Sequence, residues 1–145
     1  MSAEVKSNPN TETGTQFLPR FDKAGLVTAL VCEMGTNSPL MVAHMNKEAL
    51  QLTIETGEAH FYSRSRAEIW HKGGTSGNTL SVVEMRVDCD QDAIWLSVSP
   101  NGHGAACHTG RKSCFYRRIV KQDGSVSLEM DDDSPLFDPD LVYNR

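Results

Sequence analysis

A chain of 145 residues with 39% hydrophobic, 7% aromatic and 23% charged side chains has the size and composition of one globular domain with tails, too short for two independent cores. Its net charge of −5, from 14 Lys and Arg against 19 Asp and Glu, argues against nucleic acid as a partner, so local cationic clusters are more informative than the total. No apolar run is long enough to span a bilayer and the polar N-terminus lacks a signal-peptide core; the expectation is a cytoplasmic, reducing compartment that favours thiolate chemistry over disulfides.

Residues 1–16, rich in Ser, Thr, Asn and Glu, read as a disordered arm; the domain is expected over 17–120, followed by a C-terminal tail over 121–145. The β-branched run 26–32 and, after the turn signal GTNSP, the apolar run 40–43 predict an antiparallel hairpin, with Cys32 as core packing. Asn46 can cap a helix, Glu48 suits the positive end of its dipole, Leu50 and Ile54 share a face, and Gly57 can end it in a left-handed conformation. These signals predict a helix over 47–56. Alternation over 59–66 sets His60, Tyr62, Arg64 and Arg66 on one side of a strand with a cationic end.

The segment 70–78, WHKGGTSGN, interleaves glycines with Lys72, Thr75 and Ser76. It suits either a phosphate cradle or a glycine-rich hairpin turn, and it lacks the GK[ST] order of a Walker loop. Strands are predicted over 80–87 and 94–98, joined by a turn at 90–92, and a last one over 115–120. The acidic, proline-containing residues beyond 121 show no period. The fold class is therefore α+β, a mostly antiparallel sheet with one or two short helices.

The densest chemistry lies in 88–118, DCDQDAIWLSVSPNGHGAACHTGRKSCFYRR, which holds three of the four cysteines. Cys89, Cys107 and Cys114 are soft ligands suited to zinc, and three protein ligands leave a position open for water. A structural site completed by His103 or His108, or simple burial of the thiols, remains an alternative. On an extended chain Asp88 and Asp90 project opposite to Cys89, and Asp92 would lie roughly 13 Å from Asp88 at about 3.3 Å per residue. A turn near Asp90 and Gln91 is needed to gather all three carboxylates, either as a magnesium site with waters or as a merely solvated acidic tip. The cationic segments around Arg64 and Arg111 suit phosphates, so the residues together suggest a hydrolase of a phosphorylated small molecule. A partner-binding zinc module is the second reading. A zinc nucleobase deaminase is the third, but its H-x-E and P-C-x-x-C signature is absent.

The stretches LVCEMGTNSPLMVAHMNKEAL, FYSRSRAEIWHKGGTSGN, VDCDQDAIWL and GAACHTGRKSCFYR closely resemble the phosphoribosyl-AMP cyclohydrolase family of histidine biosynthesis, in unbroken order over about residues 20–120. The resemblance implies a stand-alone form without the fused pyrophosphohydrolase domain found in many members. It implies zinc on Cys89 from one subunit with Cys107 and Cys114 from the other, in an intertwined homodimer, and magnesium on Asp88, Asp90 and Asp92. It implies attack of zinc-bound hydroxide on the six-position carbon of the substrate's adenine ring. His108 is then the candidate proton shuttle, with a zinc-ligand or supporting role as its alternative and His71 a weaker candidate. Arg64, Arg66, Trp70, Lys72, Thr75, Ser76, Arg111 and Lys112 would bind the nucleotide and its phosphates. Two departures stand out: Gly74 where the family commonly has the glutamate of KGETSGN, and His44 where an aromatic residue is frequent.

Overall fold

The computed structural model describes residues 11–131 and 135–143. Strand β1 (Val27–Glu33) turns back into β2 (Pro39–Met45), pairing Val27 with Met45 through to Val31 with Met41 before a bulge at Cys32. The turn residue Asn37 takes φ 59, a conformation asparagine tolerates better than most side chains. Helix α1 (Lys47–Thr56) has the predicted bounds: the Asn46 carboxamide accepts from the Ala49 N–H at 2.8 Å, and Gly57, at φ 75, donates to the Thr53 carbonyl. Such an N-cap contributes about 1 kcal/mol.

Beyond the helix, β3 (His60–Ser63) and β4 (Glu68–His71) form a hairpin, β5 (Leu80–Val87) and β6 (Ala93–Pro100) a second, and β7 (Arg117–Gln122) and β8 (Ser125–Met130) a third. A short α2 (Pro139–Tyr143) follows. The β1–β2 and β5–β6 pairs join as one sheet in the order β2-β1-β6-β5, because β1 and β6 run parallel from Thr28 beside Ala93 to Glu33 beside Val98. Antiparallel pairs still dominate, in keeping with an α+β class.

One face of this sheet makes the core. Val27, Ala29 and Val31 alternate inward on β1, beside Ile94, Leu96 and Val98 of β6, and all are buried. Ala49 and Leu50 of α1 and Phe61 of β3 close over them, while the Thr53 hydroxyl accepts from the His60 N–H at 2.9 Å and stitches helix to hairpin. The opposite face carries an apolar row across three strands: Leu30 lies beside Val42 and Trp95, and both Leu30 and Val42 are exposed.

Several boundaries differ from the expectations. The strand expected over 59–66 ends at Ser63, because a turn with Ala67 at φ 54 reverses the chain; Arg64 and Arg66 thus stand at a hairpin tip. Trp70 and His71, expected in the glycine-rich segment, belong to β4, so the tight turns begin at Lys72. The final strand starts at Arg117 instead of 115, held off by the Cys114 and Ser113 bonds to β2 described below. The expected featureless tail carries β8 and α2. Of the arm expected over 1–16, residues 1–10 fall outside the described residues; 11–16 form turns against Gln91.

Candidate functional site

Val87 ends β5 and Ala93 begins β6, so the five-residue turn 88–92 between them is fixed at both ends by the sheet. The Asp88 carboxylate accepts from the N–H groups of Asp92 and Ala93, both at 3.0 Å, and the Gln91 N–H donates to the Asp88 carbonyl at 3.0 Å. The chain curls there as expected, and one ligand oxygen each of Asp88, Asp90 and Asp92 lies within 4.8 Å of the others. Partial burial pushes the Asp88 carboxyl up, but the Ala93 N–H, the Asp90 and Asp92 side chains and the Asp92 N–H together hold it below the usual range. Asp92 is raised by crowding against Asp90 and Asp88. Three carboxylates so close relieve their repulsion by taking up a cation, and the all-oxygen donor set fits a hard one.

The thiols come from the loop between β6 and β7. Gly110 N–H donates to the Cys107 carbonyl at 3.0 Å and Cys107 N–H to the Arg111 carbonyl at 3.1 Å, folding 107–111 tightly. Cys114 N–H donates to the Leu40 carbonyl at 2.7 Å and the Ser113 hydroxyl to the Pro39 carbonyl at 2.8 Å, fastening the loop to β2. The result sets Cys107, buried, next to Cys114. A thiol bond from Cys114 lowers the Cys107 pKa against the burial that raises it, helped by the Thr109 hydroxyl 3.0 Å from its sulfur and by the neighbouring His108. Cys114 is raised in turn, chiefly by its bond to Cys107 and then by burial. Two adjacent cysteines, which bind as thiolates, fit a soft dication.

Cys89 does not join them: among the described residues the only group of three ligand side chains within 4.8 Å is the acidic one. Cys89 lies exposed on the acidic turn, and His108 is exposed beside Cys107. Cys32 is buried, its thiol pushed up by burial and only partly offset by the nearby Trp95 side chain. That is the packing role expected of it.

The cationic residues divide. Arg64 and Arg66 line an open cavity of about 550 Å³ with His44, Tyr62 and Trp70. Arg111 and Lys112 line a second of about 230 Å³, but Arg111 lies 4.3 Å over the Tyr116 ring and Lys112 is 2.9 Å from Glu33. Lys72 differs from all of them. It is 8% exposed, with its ammonium 5.6 Å from the Trp70 ring centroid, and burial lowers its pKa while Cys114 and then Cys107 hold it up. Thr75 is exposed and Ser76 half-buried in the adjoining turn, where the Ser76 hydroxyl accepts from the Asn78 N–H at 3.2 Å. His71 is bonded to Glu58 at 2.7 Å and stacked on His60 at 4.6 Å.

Three contributors escaped the sequence reading. Asn78, 2% exposed, accepts from the His103 N–H at 2.7 Å and ties the glycine-rich turn to the thiol loop, while its buried side-chain NH2 has no hydrogen-bond partner among the described residues. Thr109 and Gln91 are ordinary polar residues whose roles arise from tertiary contacts, and only their positions inside the dense motif could have drawn notice.

Comparison with known proteins fits this geometry. A family model, phosphoribosyl-AMP cyclohydrolase, matches residues 41–116, which include the acidic turn, both loop cysteines and the β3–β4 hairpin. The chain belongs to the phosphoribosyl-AMP cyclohydrolase family. It is 58% identical over 150 residues to the phosphoribosyl-AMP cyclohydrolase of Rhizobium leguminosarum bv. trifolii (strain WSM2304), covering 100% of both chains. It is 56% identical to that of Sinorhizobium medicae (strain WSM419), covering 95% of this chain and 91% of the relative, and 58% identical to that of Brucella anthropi, covering 89% and 92%. Membership makes the chain a hydrolase, and among its described residues no helix is long and apolar enough to cross a membrane.

Proposed function

We propose that this cyclohydrolase-family chain opens the adenine ring of N1-(5-phosphoribosyl)-AMP by hydrolysis, giving the formimino-carboxamide ribonucleotide of histidine biosynthesis, in the cytoplasm. The observation that carries the reading is the adjacency of Cys107 and Cys114, two free thiols within the family-matched segment. Zinc would be held by these two and by Cys89 of a second copy. The separation of Cys89 from the pair within one chain supports that sharing, as does the apolar row of Leu30, Val42 and Trp95 on the uncovered sheet face. Magnesium would be held by Asp88, Asp90 and Asp92.

Zinc, when bound, supplies a water acidified to near-neutral pH. The chain's own residues do the rest. Arg64 and Arg66 at the hairpin tip, and Arg111 in the second cavity, offer donors for the two phosphates, while Trp70 and Tyr62 offer apolar surface to the nucleotide. The four residues of β4, roughly 13 Å along a strand, lie between the tip and Lys72, a span suited to an extended nucleotide. The N1 substituent leaves the six-position carbon electron-poor; water adds to it, and the bond from that carbon to N1 breaks as N1 takes a proton. His108, exposed beside Cys107, is the group read as delivering it. Lys72, buried against the thiol pair, is read as their counter-charge more than as a phosphate ligand.

The decisive experiment follows absorbance on supplying phosphoribosyl-AMP. Activity should vanish with a zinc chelator, return on adding zinc, and be absent with low zinc content in Cys107→Ser. Full turnover by a zinc-free Cys107→Ser protein overturns the reading.

A further inference from the structure

Gln91 stands between Asp90 and Asp92, yet it is 4% exposed and holds φ 59, in the left-handed region that glutamine adopts only under constraint. The constraint comes from far away in the chain. The Leu18 N–H donates to its Oε1 at 2.6 Å, its Nε2 donates to the carbonyls of Thr11 at 2.9 Å and Gln16 at 3.2 Å, and its own carbonyl accepts from the Arg20 N–H at 2.7 Å. Both ends of the side chain and the backbone carbonyl are therefore spent on residues 11–20. The remaining backbone group, its N–H, closes the turn on the Asp88 carbonyl at 3.0 Å.

A residue held in this backbone region costs on the order of 1–3 kcal/mol and persists only where its surroundings over-determine it. Here the four bonds to the N-terminal segment do so. Without them the turn is free to relax, and three like charges within 4.8 Å give it a reason to spread. We propose that residues 11–20 are a working part of the acidic cation site: by clamping Gln91 they preset the spacing of Asp88, Asp90 and Asp92 for a divalent ion. This rests on reading the acidic turn as a cation site. Preorganisation raises affinity by removing an ordering cost at binding. The coupling is reciprocal, so the ion holds the N-terminal segment in place by the same factor with which the segment improves ion binding.

Two measurements on the zinc-loaded protein test this, with Mn2+ and Mg2+ as the probes. Deleting residues 1–16, or replacing Gln91→Gly in the full chain to relieve the backbone while cutting the clamp, should weaken Mn2+ binding about fivefold or more and leave zinc content unchanged. In the unaltered chain, saturating Mg2+ should slow tryptic cleavage after the exposed Arg20 by a similar factor, and Asp90→Asn should abolish that protection. A purely structural role for the clamp lowers thermal stability but leaves proteolysis at Arg20 indifferent to Mg2+. Unchanged Mn2+ affinity in both variants, or cleavage at Arg20 unaffected by Mg2+ in a chain that binds it, overturns the proposal. If the unaltered chain binds no Mn2+, or Asp90→Asn binds it equally well, the cation-site reading itself falls and takes this inference with it.

Discussion

The Lys112 ammonium lies 2.9 Å from the Glu33 carboxylate, so the loop that carries both site cysteines is tied by an ion pair to the end of β1. The hydrogen bond from Lys112, then that from the Thr36 hydroxyl, holds Glu33 below its ordinary range. A depressed carboxyl contributes stability that is fully present above the unfolded value, about 4.3, and is lost as pH falls through the lower folded value. With Lys112 half-exposed the contribution is about 1 kcal/mol or less. Glu33→Gln should thus lower Tm by a few degrees at pH 7, and the gap to wild type should close in melts acidic enough to protonate Glu33. A gap that persists undiminished in acid would mean that packing, and not the ion pair, is what the substitution disturbs.

If the zinc site is shared between copies, Cys89→Ser and Cys107→Ser chains should each be inactive alone and complement on mixing. A mixed dimer joins Cys89 of one chain to Cys107 and Cys114 of the other at one of its two sites. Equal mixing with subunit exchange should then restore roughly a quarter of the wild-type sites by random pairing. Zinc content should rise in parallel. Mixtures as inactive as either parent, once exchange is verified by mass, would confine the thiols to a single chain.

Lys72 offers a choice between two roles for one residue. Its burial beside Cys107 and Cys114 predicts that Lys72→Met, which keeps the apolar stem, will release zinc to a chelator about ten to a hundredfold more readily, as loss of a group supporting a metal site commonly does. Lys72→Arg should restore part of the retention. A raised KM with zinc retention untouched would return Lys72 to the phosphates.

The legible parts of this molecule were those whose signals are local. Asn46 and Gly57 bracket α1 because a cap needs only its own turn, and the strands flanking the acidic turn announce themselves by β-branched runs. What stayed hidden is non-local. The parallel pairing of β1 with β6 depends on some sixty intervening residues, and nothing in either strand names the other. β8 has every residue exposed, so burial imposed no alternation on it to read. At the site, the acidic triad followed from residue type and a predicted turn, whereas the Lys72 environment, the Asn78 link and the Gln91 clamp exist only once the loops have met.

His108 is the only one of the proposed site groups suited to moving a proton near neutral pH that lies next to a zinc-ligand candidate in the chain. His108→Ala should reduce kcat by about two orders of magnitude or more with KM little changed, if it delivers the proton to N1. Measured zinc content separates this from a ligand role, since loss of a ligand lowers both. A loss of only a few-fold leaves the shuttle role to another group, with the Glu58-bonded His71 next to be tested.

Gly73 and Gly74 are neighbours with opposite tolerances. At Gly73, φ is 81 and an added Cβ would lie 2.2 Å from the Asn78 carbonyl carbon, a backbone atom that cannot swing aside. Gly73→Ala should therefore break the turn that holds Asn78 against His103, costing on the order of 2 kcal/mol or more in stability and most of the activity. At Gly74 the nearest atom to an added Cβ is the His71 carbonyl oxygen at 3.2 Å and φ is ordinary, so Gly74→Ala should shift stability by about 0.5 kcal/mol or less. Gly74→Glu, which restores the side chain common in the family, should then fold as well as wild type. Paired melts and KM values decide the point: equal losses at both positions would show that the close approach of Gly73 to Asn78 does not set the tolerance of this turn, and a Gly74→Glu protein that melts normally but loses turnover would show that the chain has adapted to the missing carboxylate.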